Sequence, residues 1–106
     1  MNRLYKILQE DPVLGKDIAM FGIAVKNTPR QAEAYRAGFR VPFPVFSDES
    51  GIVYEAAGKP SYPSLLMATT SGRVLLRHEG MIRDYYEIIK EIRKIHESER
   101  AGGTDR

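Results

Sequence analysis

Apolar residues fall along this chain in blocks of two different periods. Leu4, Ile7 and Leu8 recur at helical spacing behind Asn2, a residue with N-cap chemistry. Asp11-Pro12 stops that helix, because a residue before proline is pushed out of the α region, and Gly15-Lys16-Asp17 reads as a turn. Ile18 to Val25 is then almost continuously apolar, with Phe21, Ile23 and Val25 on one side; the run predicts a buried, parallel strand. Thr28-Pro29-Arg30-Gln31 starts a helix by three rules at once: Thr28 caps it, Pro29 suits its first position, and Gln31 completes a capping box. That helix runs through Tyr35 and ends near Gly38, which is expected to be its left-handed C′ residue.

Val41-Pro42-Phe43-Pro44 cannot be a central strand, since proline lacks the ladder donor. It reads as a stiff connector into Val45-Phe46, with Phe43 in the core. Ser47-Asp48-Glu49-Ser50 offers caps for a short helix through Val53-Tyr54-Glu55-Ala56-Ala57, which Gly58 terminates. Leu65-Leu66-Met67-Ala68 and Val74-Leu75-Leu76 flank the turn residues Thr70-Ser71-Gly72, and an antiparallel hairpin follows, broken at Gly80. Tyr85, Ile88, Ile89, Ile92 and Ile95 lie on one face of a last helix, with Glu87, Lys90, Glu91 and Lys94 outside. The order of elements predicts an α/β domain of three layers. Residues 1–98 form a single domain on this reading, and 99–106 a flexible tail.

Charge and composition narrow the function classes. The 16 Lys+Arg exceed the 14 Asp+Glu by only two, and basic and acidic positions alternate, as in Lys90-Glu91-Ile92-Arg93-Lys94. Such interleaving is a solvated helix face and not a phosphate-binding stripe, so no nucleic-acid partner is expected. No apolar run approaches the ~20 residues of a membrane span, so no membrane partner is expected either, and Met1-Asn2-Arg3-Leu4-Tyr5-Lys6 lacks the apolar core of an export signal. The chain as written is expected in the cytoplasm; a native upstream signal would make it exported. With no cysteine in 106 residues, disulfides, thiolate nucleophiles and cysteine metal sites are all excluded.

The ordered series of segments resembles a known family. Phe21-Gly22-Ile23-Ala24-Val25, a capped helix, Val41-Pro42-Phe43-Pro44-Val45-Phe46-Ser47-Asp48, Gly51-Ile52-Val53-Tyr54 and Ala57-Gly58 are similar to the middle of TlpA-like thiol–disulfide oxidoreductases and their AhpC/TSA peroxiredoxin relatives. Tyr62-Pro63-Ser64-Leu65-Leu66-Met67 stands where that family places its cis-proline and following strand. Ser71-Gly72-Arg73-Val74 matches the hairpin turn, and His78-Glu79-Gly80 the end of the second hairpin strand.

The resemblance covers about Asn2 to Ile95. It implies a thioredoxin-like, three-layer α/β/α fold with one mixed sheet, truncated at its N-terminus. The family's first strand and its Cys-X-X-Cys motif have no counterpart here, so no catalytic residue carries over. In the family the missing strand lies between the equivalents of Ile18–Val25 and Leu65–Thr69. Its loss is expected to be compensated either by direct pairing of those two strands or by a strand from a second copy, and a homodimer is expected. A partner of another kind remains the alternative.

Tyr62 and Pro63 are the candidate substrate-binding residues, as a remnant of the cis-proline loop. The bond before Pro63 is left open between cis, as the resemblance implies, and the trans form of an ordinary strand start. His78-Glu79 and the pair His96 and Glu99 offer too few ligands for a metal site. Asp48 and Glu49 read as caps rather than as acid–base groups, and Thr69-Thr70-Ser71-Gly72 lacks phosphate-loop spacing. No cofactor or metal is expected.

Overall fold

The Asp11 carboxylate organises the first turns of the chain. In the computed structural model, which describes residues 1–102, helix α1 spans Asn2–Glu10 and ends at Asp11 in extended conformation. The Asp11 carboxylate then accepts from the N–H groups of Val13 and Leu14, both at 2.9 Å. The segment read as a turn is thereby a helical turn, α2 (Leu14–Asp17). Gly15 is required there, because a Cβ would stand 2.9 Å from Leu8 O and 3.0 Å from Gln9 O. The expected cap Asn2 lies inside α1 instead, where its side-chain amide donates to Phe39 O at 3.1 Å.

The chain forms two compact units, Met1–Pro60 and Ser61 onward. In the first, strand β1 (Gly22–Val25) pairs in parallel with β2 (Val45–Asp48), Gly22 facing Val45 and Val25 facing Asp48. Helix α3 (Pro29–Gly38) is the crossover between them and packs on β2. Its start is the capping box read in the sequence: Thr28 Oγ1 accepts from Gln31 N–H at 3.1 Å, and Gln31 Oε1 from Thr28 N–H at 2.9 Å. Its end departs from expectation. Gly38 stays helical, and the left-handed residue is Arg40, at φ 51°.

The buried apolar side chains of this unit include Leu4, Leu8, Leu14, Ala32, Val41 and Phe43. Phe43 thus occupies the core as expected, its ring 5.5 Å from that of Tyr5. β1 is shorter and more exposed than the apolar run predicts. Phe21 is 56% exposed and Ile23 36%. The parallel register explains where the strand starts. Continuing the ladder toward Met20 would require an N–H from Pro44, which has none.

Helix α4 (Ile52–Ala56) follows Gly51, whose φ of 76° is the left-handed conformation that glycine adopts without steric cost.

The second unit is an antiparallel hairpin and a helix. β3 (Ser64–Ala68) pairs with β4 (Val74–Glu79), from Ser64 opposite Glu79 to Ala68 opposite Val74, with an irregularity at Met67/Ala68. Thr69 closes the turn by accepting Arg73 N–H on its hydroxyl at 3.1 Å and Gly72 N–H on its carbonyl at 3.0 Å. Helix α5 (Tyr85–Gly102) buries Ile88, Ile89, Ile92 and His96; of the predicted stripe, Tyr85 and Ile95 are only half-buried, and His96 is the addition. Asp84 caps it by accepting Tyr86 N–H at 3.0 Å, and Glu99 ties it to the hairpin through Arg73 at 2.6 Å. Of the expected tail 99–106, residues 99–102 belong to this helix, and 103–106 lie outside the described residues.

The architecture is therefore mixed α/β, with one parallel and one antiparallel pair of strands. Among the described residues the strands form two two-stranded sheets, one within each unit. No helix among these residues is long and apolar enough to cross a membrane.

Candidate functional site

Tyr62 and Pro63 stand at the entrance to β3, where the end of β4 fixes the backbone on both sides of them. Glu79 Oε1 accepts the Ser61 N–H at 2.7 Å, and Gly80 N–H donates to Pro63 O at 2.7 Å. Gly80 adopts φ 93°, the left-handed turn that ends β4. The peptide bond between Tyr62 and Pro63 is cis. Tyr62 is 65% exposed, so the loop presents an aromatic ring to solvent.

Glu79 was not singled out in the sequence as a positioning group. The Ser61 N–H bond holds its carboxyl below the usual 4.5, and Arg77, 3.6 Å away, pulls the same way. A carboxyl whose pKa is depressed on folding contributes stability above its unfolded pKa, and this is lost as the pH falls through the lower folded value. The Ser61 amide resonance is therefore expected to titrate with an apparent pKa below 4.5, and Glu79→Gln to abolish that titration and speed Ser61 amide exchange. NMR of the amide between pH 2 and 7 reads both; a titration at or above 4.5 would show that the bond does not form.

Asp48, His78 and Glu99 have structural partners. Asp48, 5% exposed, turns both carboxylate oxygens to the start of α4: Val53 N–H at 3.1 Å and Tyr54 N–H at 2.9 Å. Its reading as a cap holds, and Glu49 beside it is exposed. His78 Nε2 lies 3.3 Å from Met81 O. His96 is buried on α5, and Glu99 is engaged by Arg73. Among the described residues no group of three or more His, Cys, Asp or Glu stands close enough to hold a metal ion.

At the carboxyl ends of β1 and β2, where open parallel sheets take their ligands, a polar hollow is lined by Lys26, Ser50, Gly51, Tyr54, Glu55 and Lys59. Its charge is partly balanced internally, with Glu55 Oε1 3.8 Å from Lys59 Nζ.

The arrangement thus offers one exposed aromatic loop fixed by a carboxylate, a mixed-charge hollow, and no nucleophile of thiol type. No family model, no curated protein and no solved structure matches this chain.

Proposed function

We propose that this chain belongs to the thioredoxin-like lineage of TlpA-like and AhpC/TSA thiol–disulfide oxidoreductases and carries out no thiol–disulfide chemistry of its own. The observation that carries the reading is the order of elements. A parallel strand–helix–strand crossover precedes an antiparallel hairpin and a long closing helix, with Tyr62 and Pro63 at the hairpin entrance. The chemical half rests on elementary requirements. Disulfide exchange needs a thiolate to attack sulfur, and the only sulfur here is in Met1, Met20, Met67 and Met81, whose thioethers cannot cycle as dithiols.

A disulfide-reduction assay on the purified chain with dithiothreitol is expected to show the rate of buffer alone. Turnover clearly above that rate would refute the proposal.

A second reading, a non-catalytic module that binds itself or another protein, is favoured by the exposed aromatic pair Phe21 and Phe46. Their rings meet edge-on at 5.6 Å, and the two side chains are 56% and 53% exposed. Contiguous exposed apolar patches mark interaction surfaces, and aromatic residues are enriched at protein interfaces.

A further inference from the structure

The parallel ladder uses only half of the backbone of β1. Alternate residues of a strand face the same neighbour, and here Gly22 N–H donates to Pro44 O at 2.8 Å and Lys26 N–H to Asp48 O at 2.7 Å. The even-numbered residues of β1 therefore face β2. The N–H and C=O of Ile23 and the N–H of Val25 leave the opposite edge, while Val25 O is taken by Asn27 Nδ2 at 2.9 Å. Within the first unit the Ile23 backbone has no hydrogen-bond partner.

Proteins ordinarily blunt such an edge with a charge, a proline or a bulge. The run Ile18-Ala19-Met20-Phe21-Gly22-Ile23-Ala24-Val25 contains no charge and no proline, and its strand has no bulge. On one face of the same sheet Ile23 pairs in register with Phe46, and Phe21 packs edge-on against that ring.

We propose that the outer edge of β1 pairs antiparallel with β1 of a second copy of this chain, with the two-fold axis at Ile23. This rests on the binding-module reading and gives its partner and register. Three observations single out a second copy. An N–H and a C=O facing outward from one residue are self-complementary, because two opposed residues of an antiparallel ladder exchange both hydrogen bonds. The register sets Phe21 opposite Val25, and Lys26 opposite the neutral Met20, so no like charges meet. A parallel in-register pairing would instead bring Lys26 beside Lys26, which is unfavourable.

Pairing also joins Phe21, Ile23 and Phe46 of one copy to the same three residues of the other. A few half-exposed side chains and a short ladder fall below the ~800 Å² per partner of a standard stable interface. The dimer is accordingly concentration-dependent.

Sedimentation equilibrium of the full chain over a wide concentration range is expected to show a monomer–dimer equilibrium. Ile23→Pro removes only the outward N–H and leaves the donors of Gly22 and Ala24 in place. It is expected to raise the dissociation constant by at least about tenfold at unchanged circular dichroism. Should that variant not fold, Ile23→Lys opposes two ammonium groups across the axis and is expected to have the same effect.

The absence of native cysteine makes Ile23→Cys a single reporter. Its Cα would lie about 5.5 Å from its symmetry mate, within disulfide reach. Mild oxidation is expected to trap a covalent dimer at least about tenfold faster than in Arg30→Cys, which is exposed on α3. A chain monomeric at every concentration, a dimer insensitive to the folded Ile23 variants, or equal trapping at the two positions would overturn the proposal. So would a monomer that takes up an unrelated extended peptide at this edge. A monomer that takes up such a peptide would sink the dimer and leave the binding-module reading standing, whereas a monomer that takes up nothing would sink both, so the two failures are distinguishable.

Discussion

Leu4→Ala is expected to lower the stability of the first unit by about 2–5 kcal/mol, the cost of truncating a fully buried leucine. Leu4 has no exposed surface, and it lies one turn before Leu8 on the buried face of α1. The site has little freedom to collapse around the lost methyl groups. Asn2, two residues earlier, is tied to Phe39 O, and Tyr5, one residue later, meets Phe43. At position 15 only a glycine fits between α2 and the end of α1. A cavity at Leu4 therefore stays largely open, which places the effect toward the upper part of the range. Urea unfolding followed by far-ultraviolet circular dichroism, with hydrogen exchange to assign the loss to residues 1–60, is the measurement. A loss below about 1 kcal/mol would mean that α1 is not part of the cooperative core.

The second large effect is expected at Asp48. Asp48→Ala removes both oxygens from the start of α4 and leaves the Val53 and Tyr54 N–H groups without their acceptor. The expected cost is about 1–3 kcal/mol, since part-buried donors lose their partner while water reaches the site only in part. Asp48→Asn keeps one acceptor oxygen and is expected to lose less. Glu49→Ala, on the exposed neighbour, is expected to stay within about 0.5 kcal/mol of the parent. The same urea experiment ranks the three, and equal losses for Asp48→Ala and Glu49→Ala would remove Asp48 from its role as cap.

Local chemistry at fixed spacing was readable from the residues alone. The capping box at Thr28 and Gln31, the arrest of α1 at Asp11, the hairpin turn before Gly72 and the stripe of isoleucines on α5 all depend on neighbours within about one helical turn or one hairpin loop, and all are present. What depends on distant partners was misjudged. The apolar run from Ile18 looked like a buried strand, but its paired length is set by the missing N–H of Pro44 and its burial by what lies on its faces. The exit from α3 was assigned to Gly38 by residue type, whereas the chain makes the left-handed turn at Arg40, a residue later anchored by the Val41 N–H bond to Arg36 O. At the candidate site the residues Tyr62 and Pro63 were legible, but Glu79 was not. Its partner Ser61 is a distant backbone group, and no side-chain pattern announces such a bond.

The two sheets differ in how soon in folding they can form. The β3–β4 ladder closes across a tight turn, so its contacts are local and loop closure costs little entropy. The β1–β2 ladder is parallel, and no part of it can form until the whole stretch from Lys26 to Pro44 has been folded back. The capping box at Thr28 lies within that stretch and favours the helix that shortens it. Contact order thus makes the hairpin the early event and the α3 crossover the slow step of the first unit. Until that step is complete, the uncharged Ile18–Val25 segment stays open to any other strand, which makes the unfolded side of the barrier the state most exposed to aggregation.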